Sequence, residues 1–193
     1  MTGKHLYIIA GCNGAGKTTA SYTFLPEILL CKEFVNADEI AKGLSPFQPE
    51  KVAIEAGRIM IHRINSLLKD GESFAFETTL ATKSYKRKIL DARSNGYYVI
   101  LVYFWLNNIE LAKKRVEQRV SEGGHNIQSD VIERRYLNGI KNLFDIYLPI
   151  VDEAQIVDNS DGVSELFAHC ESGVIKVINQ KKFDEIREYY DEK

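Results

Sequence analysis

The sequence predicts an α/β fold in which helices cover both faces of a parallel sheet of about five strands. Short apolar runs alternate with longer segments whose apolar residues recur at helical spacing, which is typical of strand–helix–strand units. The first apolar run is followed at once by a glycine-rich loop with the phosphate-loop pattern G-x4-G-K-[ST]. These two observations predict a three-layer P-loop NTPase sandwich with a helical lid, and we expect residues 1–193 to form a single domain.

Composition argues against several other classes of protein. The 193 residues are 45% hydrophobic and 27% charged, with a formal net charge of -2, which is ordinary for a soluble globular chain. This charge gives no support for a nucleic-acid or membrane surface, and no apolar run approaches membrane length. The three cysteines lack metal-ligand spacing, and no signal peptide precedes the first strand. We therefore expect a cytoplasmic protein without membrane or nucleic-acid partners.

Five segments are predicted as strands of the parallel sheet: residues 6–10, 34–36, 73–76, 97–106 and 154–157. The fourth is rich in β-branched and aromatic residues, which indicates a central strand buried on both faces. Helices are predicted over residues 18–30, 49–69, 82–94, 110–121 and 129–147. After the fifth strand, the pattern predicts a short helix over 163–170, a late strand over 174–178 and a helical tail from Lys181.

The glycine-rich loop carries the strongest functional signal. Its glycines let the backbone fold tightly around a polyphosphate and point N–H groups inward. Lys17 would reach the terminal phosphates as a catalytic point charge, and the Thr18 hydroxyl would ligate Mg²⁺. The following helix would begin with its positive dipole end at the phosphates. The residues predicted to bind the nucleoside triphosphate are Gly11, Asn13, Gly14, Ala15, Gly16, Lys17, Thr18 and Thr19.

Two acidic residues follow predicted strands at the edge of the sheet where this loop lies. Asp38 follows the second strand and Glu77 ends the third, and parallel sheets bind ligands at the carboxyl ends of their strands. A kinase needs a carboxylate to orient the acceptor hydroxyl and accept its proton, and acids or waters to hold Mg²⁺. Both residues are therefore candidates for catalysis or substrate contact, and one of them would join Thr18 at the metal. For Asp38 the alternative is a cap on the helix that begins near Glu39.

Four arginines lie in the helix–loop–helix that follows the fourth strand, at about residues 110–136. Arg115 and Arg119 are one helical turn apart on the first helix, and Arg134 and Arg135 lie on the second. An arginine in a kinase lid stabilises charge on the transferred phosphoryl group. We therefore expect at least one of the four to be catalytic. The alternative is that all four are solvated charges paired with neighbouring glutamates.

Seven short segments together identify a family. They are GCNGAGKTT at 11–19, NAD at 36–38, FAFETT at 74–79, FWL at 104–106, GGH at 123–125, RRY at 134–136 and DNS at 158–160. With these segments the sequence resembles the zeta toxin family of P-loop kinases, in its short bacterial branch. The resemblance covers nearly the whole chain to about Ser160.

The resemblance implies a sheet order of 2-3-1-4-5, ATP as the phosphate donor and Asp38 as the catalytic base. It also implies that Glu77 and Thr78 contact a sugar-nucleotide substrate, and that lid arginines contact the phosphates. Of the four arginines, we expect Arg119 and Arg134 to be the catalytic ones. The best-known activity of the family phosphorylates the 3′-hydroxyl of the amino sugar in UDP-N-acetylglucosamine, and an antitoxin protein restrains the toxin. One alternative stays open from the sequence, which is a regulatory P-loop ATPase or nucleotide-binding module without a small-molecule acceptor.

Overall fold

The computed structural model describes residues 3–27, 29–124 and 126–191. Its strands are β1 (Lys4–Gly11), β2 (Phe34–Val35), β3 (Phe74–Thr78), β4 (Tyr97–Trp105), β5 (Glu153–Asp158), β6 (Glu165–Glu171) and β7 (Val174–Val177). Its helices are α1 (Lys17–Glu27), α2 (Ala37–Leu44), α3 (Ala53–Asp70), α4 (Lys86–Ser94), α5 (Ile109–Ser121), α6 (Ser129–Asn142) and α7 (Gln180–Asp191). A 3-10 turn over Pro49–Val52 precedes α3, and a π-helical turn over Leu143–Tyr147 continues α6. Ile28 of the predicted helix 18–30 and His125 of the Gly-Gly-His segment lie outside the described residues.

The strands form one sheet in the order β2-β3-β1-β4-β5-β6-β7. The pairs β2–β3, β3–β1, β1–β4 and β4–β5 are all parallel, so the predicted order 2-3-1-4-5 is confirmed. β1 lies between β3 and β4, and its last residue, Gly11, pairs with Phe104. The glycine-rich loop therefore leaves the middle of the sheet at its carboxyl edge. The sheet is larger than predicted, because β6 and β7 extend it with antiparallel pairs.

The predicted helix over residues 163–170 is wrong, because Glu165–Glu171 form β6. β6 and β7 are joined by Ser172 and Gly173, whose φ angles are 49° and 81°. Two successive positive φ values are typical of the type I′ turn, whose twist matches that of a hairpin. The late strand and the helical tail are confirmed as β7 and α7.

The core lies on both faces of the central strands. Ile8 and Ile9 are each 0% exposed, and successive residues of a strand point to opposite faces. In β4, Leu101 and Trp105 are at most 1% exposed. The carboxyl edge from which the functional loops leave is therefore built on a sheet that is packed on both sides. Among the helices of residues 3–27, 29–124 and 126–191, none combines the length and the apolar composition that crossing a lipid bilayer requires.

Helix α6 crosses this carboxyl edge at close range. A Cβ atom on Gly139 would lie only 2.7 Å from the carbonyl oxygen of Thr79, a distance that real Cβ contacts do not reach. The buried hydroxyl of Tyr136 donates to the carbonyl oxygen of Leu106 at 2.6 Å. These contacts fix both the height and the rotation of α6 above the ends of β3 and β4.

Candidate nucleotide-binding and catalytic site

The glycine-rich loop folds directly against the neighbouring strand. Gly11, Gly14 and Gly16 have φ angles of 140°, 81° and 80°, a region that L side chains rarely adopt. A Cβ atom on Gly11 would also overlap the carbonyl oxygen of Phe104 in β4. The loop conformation therefore requires glycine at these positions, in agreement with the phosphate-loop prediction.

Lys17 and Thr18 begin α1 and meet the same acidic side chain. The Nζ of Lys17 donates to the carbonyl oxygen of Cys12 at 2.9 Å and lies 3.6 Å from Oε1 of Glu77. The hydroxyl of Thr18 donates to Oε2 of Glu77 at 2.7 Å. Glu77 thus contacts both residues that the motif assigns to phosphate and metal. The hydroxyl and carboxylate oxygens of Thr18 and Glu77 suit Mg²⁺, which prefers oxygen ligands and retains several waters.

The thiol of Cys12 does not take part in this cluster as an anion. Cys12 is 2% exposed, and burial raises the pKa of its thiol to about 11, although the nearby Lys17 charge opposes the shift. The thiol is therefore neutral near pH 7. Cys12 meets Lys17 through its backbone carbonyl rather than through its sulfur.

Asn36, at the end of β2, connects Glu77 to the start of α2. Its Nδ2 donates to Oε2 of Glu77 at 3.0 Å. Its Oδ1 accepts from the backbone N–H groups of Asp38 and Glu39 at 2.8 and 3.3 Å, which makes Asn36 the N-cap of α2. The alternative in which Asp38 caps this helix is wrong, because α2 begins one residue before Asp38. The sequence prediction missed Asn36, although an Asn just before a helix is a recognised cap signal.

Asp38 lines three cavities, two of which bear directly on the predicted chemistry. The P-loop cavity, of about 260 Å³, is lined by Asn13, Gly14, Gly16, Lys17, Thr18, Thr19, Asp38, Glu77, Arg115, Gln118, Arg119 and Glu122. The second cavity, also of about 260 Å³, lies between the start of α2 and α3 on one side and α6 on the other, and we call it the α2–α6 cavity. It is lined by Ala37, Asp38, Ala41, Pro49, Glu50, Ala53, Asn126, Ile127, Gln128, Val131 and Arg135. Asp38 therefore lines both cavities, and it also lines a third cavity of about 560 Å³ together with Thr18, Thr19 and Arg119.

The arginines of α6 differ in their positions. Arg135 donates through Nη1 to Oδ1 of Asn13 in the phosphate loop at 3.2 Å and lines the α2–α6 cavity. Burial lowers the pKa of Arg135, whereas the nearby Asp38 charge raises it, and a guanidinium stays charged in a protein. Arg134 is exposed. Of the two adjacent arginines, the structure therefore brings Arg135 to the loop rather than Arg134, which the sequence had favoured.

The remaining predicted residues lie nearby in different settings. Arg119 lines the P-loop cavity, as does Arg115. Thr78 ends β3, and its hydroxyl accepts a hydrogen bond from the backbone N–H of Leu80 at 3.1 Å. Ala15 is 0% exposed, so it contributes to the loop through its backbone.

Comparison with known proteins places this geometry in a family context. The sequence profile of the zeta toxin family matches residues 2–170. An uncharacterized protein of Haemophilus influenzae is 32% identical over 126 residues, an alignment that covers 65% of this chain and 88% of that protein.

Solved structures show the same fold at low sequence identity. The crystal structure of AvrRxo1-ORF1:-ORF2 with ATP superimposes with a TM-score of 0.76 at 17% identity, and the match covers 95% of this chain and 63% of that one. This chain thus spans less than two thirds of the AvrRxo1 chain that it matches. The PezAT chromosomal toxin-antitoxin system of Streptococcus pneumoniae gives a TM-score of 0.63 at 16% identity, over 100% of this chain and 88% of that one. At these identities the likeness establishes the fold alone, which is the α/β fold of P-loop kinases.

Proposed function

Since the chain belongs to the zeta toxin family, we propose that it is an ATP-dependent kinase that transfers the γ-phosphate to a hydroxyl group of a small molecule. The observation that carries this proposal is the Asp38 carboxylate, which lines both the P-loop cavity and the α2–α6 cavity. A carboxylate between a phosphate donor and an acceptor would orient the acceptor hydroxyl and accept its proton. A regulatory ATPase that transfers phosphate only to water has no need of the α2–α6 cavity.

ATP is the proposed donor, with its phosphates in the P-loop cavity. Lys17 would exchange its contacts with Cys12 and Glu77 for contacts with the terminal phosphates. Arg119 and Arg135 would stabilise the charge that develops on the transferred group. Bound Mg²⁺, held by Thr18 and Glu77, would neutralise part of the phosphate charge. The crystal structure of AvrRxo1-ORF1:-ORF2 with ATP supports this choice of nucleotide.

The proposed acceptor is a sugar nucleotide such as UDP-N-acetylglucosamine, bound from the side of the α2–α6 cavity. Family membership supports this acceptor, and the description of PezAT as a toxin-antitoxin system supports an antitoxin protein as a partner. The hydrogen bond from Thr18 to Glu77 supports a role for Glu77 at the metal. Its contact with the acceptor, like that of Thr78, stays a prediction.

An ATP-consumption screen against sugar nucleotides, nucleosides and dinucleotides, with mass spectrometry of the products, tests the proposal. We expect a phosphorylated acceptor that forms with the wild-type chain and not with a folded Lys17→Ala variant, since Lys17 would bind the transferred phosphate. Release of free phosphate with no phosphorylated acceptor would favour the ATPase alternative. Product formation at the wild-type rate by Lys17→Ala would reject the P-loop cavity as the donor site.

A further inference from the structure

Residues 159–164, the segment that follows β5, contact the phosphate loop from outside the P-loop cavity. The Nδ2 of Asn159 donates to the carbonyl oxygen of Ala15 at 2.8 Å, and a Cβ atom on Gly16 would lie 2.6 Å from this nitrogen. The hydroxyl of Ser164 donates to Oδ1 of Asn159 at 2.9 Å. Because an amide oxygen only accepts, these two partners fix the orientation of the Asn159 side chain. Asn159 therefore supports the half of the loop that leads into Lys17.

The same segment also holds an arginine of the lid. The Nη2 of Arg115 donates to the carbonyl oxygen of Ser160 at 2.8 Å. The Cβ of Arg115 would lie 3.2 Å from a Cβ atom on Gly14, and Arg115 lines the P-loop cavity. Asn159 and Ser160 thus contact two parts of the wall that would surround the nucleotide phosphates, the phosphate loop and Arg115.

Asp158 connects this segment to the C-terminal helix α7. Asp158 is 4% exposed, and its Oδ1 accepts from the backbone N–H and the hydroxyl of Ser160 at 2.9 and 2.5 Å. Its Oδ2 accepts from Nζ of Lys182 in α7 at 2.6 Å. Burial opposes the charge of Asp158, but the hydrogen bonds from Lys182 and Ser160 outweigh it and hold the pKa of the carboxyl below its ordinary value. Lys182 is therefore the cation that compensates the buried carboxylate of Asp158. Removing this cation while Asp158 stays charged destabilises the fold, because it leaves an unpaired buried charge.

Apolar contacts keep α7 in place independently of this ion pair. Ile186 is 0% exposed, the rings of Tyr189 and Tyr136 lie 5.1 Å apart, and Phe183 and Phe144 meet edge to face at 6.1 Å. Nζ of Lys182 also lies 2.8 Å from Oε2 of Glu165 in β6. Replacing Lys182 therefore removes its ion pairs with Asp158 and Glu165 without removing the surface by which the helix docks. The family profile ends at residue 170, so α7 lies beyond the part of the chain that the profile describes.

We infer that α7 belongs functionally to the nucleotide site, and that Lys182 is a positioning residue for ATP binding. Lys182 holds Asp158, Asp158 orders Ser160, and Asn159 and Ser160 hold the phosphate loop and Arg115 in the arrangement that receives the phosphates. The inference rests on the proposed binding of ATP in the P-loop cavity. It assigns to α7 a role in ground-state binding of the nucleotide rather than in the transfer step.

Lys182→Met tests this inference, with Lys181→Met as its matched control. Lys181 is the preceding residue of the same helix, its side chain is 87% exposed, and its Nζ lies 4.0 Å from Glu185. Dissociation constants for ATP and ADP, measured by calorimetric titration, are compared with thermal unfolding and with KM and kcat for ATP. Energetic coupling of this kind is typically about twofold to thirtyfold in affinity. We expect weakening in that range for both nucleotides in Lys182→Met, with kcat at saturating ATP retained and the control unchanged.

A purely structural role for Lys182 would lower the melting temperature while leaving the nucleotide affinity of the folded protein equal to that of Lys181→Met, and that result would overturn the inference. If Lys182→Met does not fold, the double variant Lys182→Met/Asp158→Asn removes the unpaired buried charge. Wild-type affinity for ATP in the folded double variant would equally overturn the inference. Failure of the wild-type chain to bind ATP would overturn the proposed function and this inference together, whereas the first two results concern Lys182 alone.

Discussion

Replacing Asp38 by Asn separates a catalytic role from a role in helix stability. The cap of α2 is the Asn36 side chain, which accepts from the backbone of Asp38 and Glu39 at 2.8 and 3.3 Å, so Asp38→Asn leaves the cap in place. The substitution removes one negative charge from the first turn, where such a charge contributes about 0.3–1 kcal/mol. For a chain of this length 1 kcal/mol corresponds to a Tm change of about 2–4 °C. We therefore expect Tm to fall by no more than about 4 °C.

The effect on turnover should be far larger. A general base contributes about 10²–10⁴ in rate, and Asp38 is the carboxylate that the two cavities share. Formation of the phosphorylated acceptor should fall at least about 100-fold at saturating ATP. The affinity for ATP should be nearly unchanged, because Lys17, Thr18 and the loop amides are untouched.

Glu39→Gln is the matched control for this experiment. Glu39 lies in the same first turn of α2 and pairs with Lys42 at 2.8 Å on the surface, so its replacement removes an equivalent helix charge. Tm, the dissociation constant of ATP and product formation are measured on both variants. If Asp38→Asn turns over within a few-fold of Glu39→Gln, Asp38 is not the base.

Three further predictions concern the rest of the site. Arg135→Gln should lower kcat by about 10³–10⁵, since Arg135 is the arginine proposed to act on the transferred phosphoryl group. Arg134 is its exposed neighbour, and the Arg134→Gln variant should turn over normally. Equal kcat values for the two variants in a steady-state assay would show that Arg135 does not act on the transferred group. Glu77→Gln should raise the Mg²⁺ concentration needed for half-maximal activity, because the carboxylate beside Thr18 is lost, and an unchanged Mg²⁺ titration would contradict a metal role. Alkylation of Cys12, followed by peptide mass spectrometry, should be at least about 100-fold slower in the folded chain at pH 8 than in urea, since its pKa is raised to about 11 and only the thiolate reacts. The rate should rise steadily from pH 8 to 10, and a rate that is flat over this interval would contradict the raised pKa.

The phosphate loop could be predicted from the sequence because its constraints are local. Gly11, Gly14 and Gly16 need positive φ angles, and Lys17 and Thr18 follow them at fixed spacing. The error at residues 163–170 arises from contacts that are distant in sequence. The segment 163–170 has apolar residues that fit a helical period, but pairing with β5 and β7 makes it a strand. The Ser-Gly pair at 172–173 is a local sign of that hairpin.

The choice between Arg134 and Arg135 depends on the rotation of α6. That rotation is fixed by Tyr136, which bonds to the carbonyl oxygen of Leu106 thirty residues away, and periodicity alone does not supply it. The alternative in which Asp38 caps α2 failed for a different reason. The helix begins at Ala37 rather than near Glu39, and an error of two residues is usual at a helix boundary. Here that shift moves the cap from Asp38 to Asn36.

Gly139 has a consequence that extends beyond its own neighbourhood. Helix α6 can approach the end of β3 only because Gly139 carries no side chain. A Cβ atom at this position would lie 2.7 Å from the Thr79 carbonyl oxygen. Arg135 precedes Gly139 by one turn, about 6 Å along the axis, so any outward shift of α6 also moves the guanidinium away from Asn13. Position 139 therefore sets the width of the gap between the lid and the phosphate loop. In an evolving lineage, a larger residue could become fixed at this position only together with a compensating change at the end of β3 or a new site for the lid arginine.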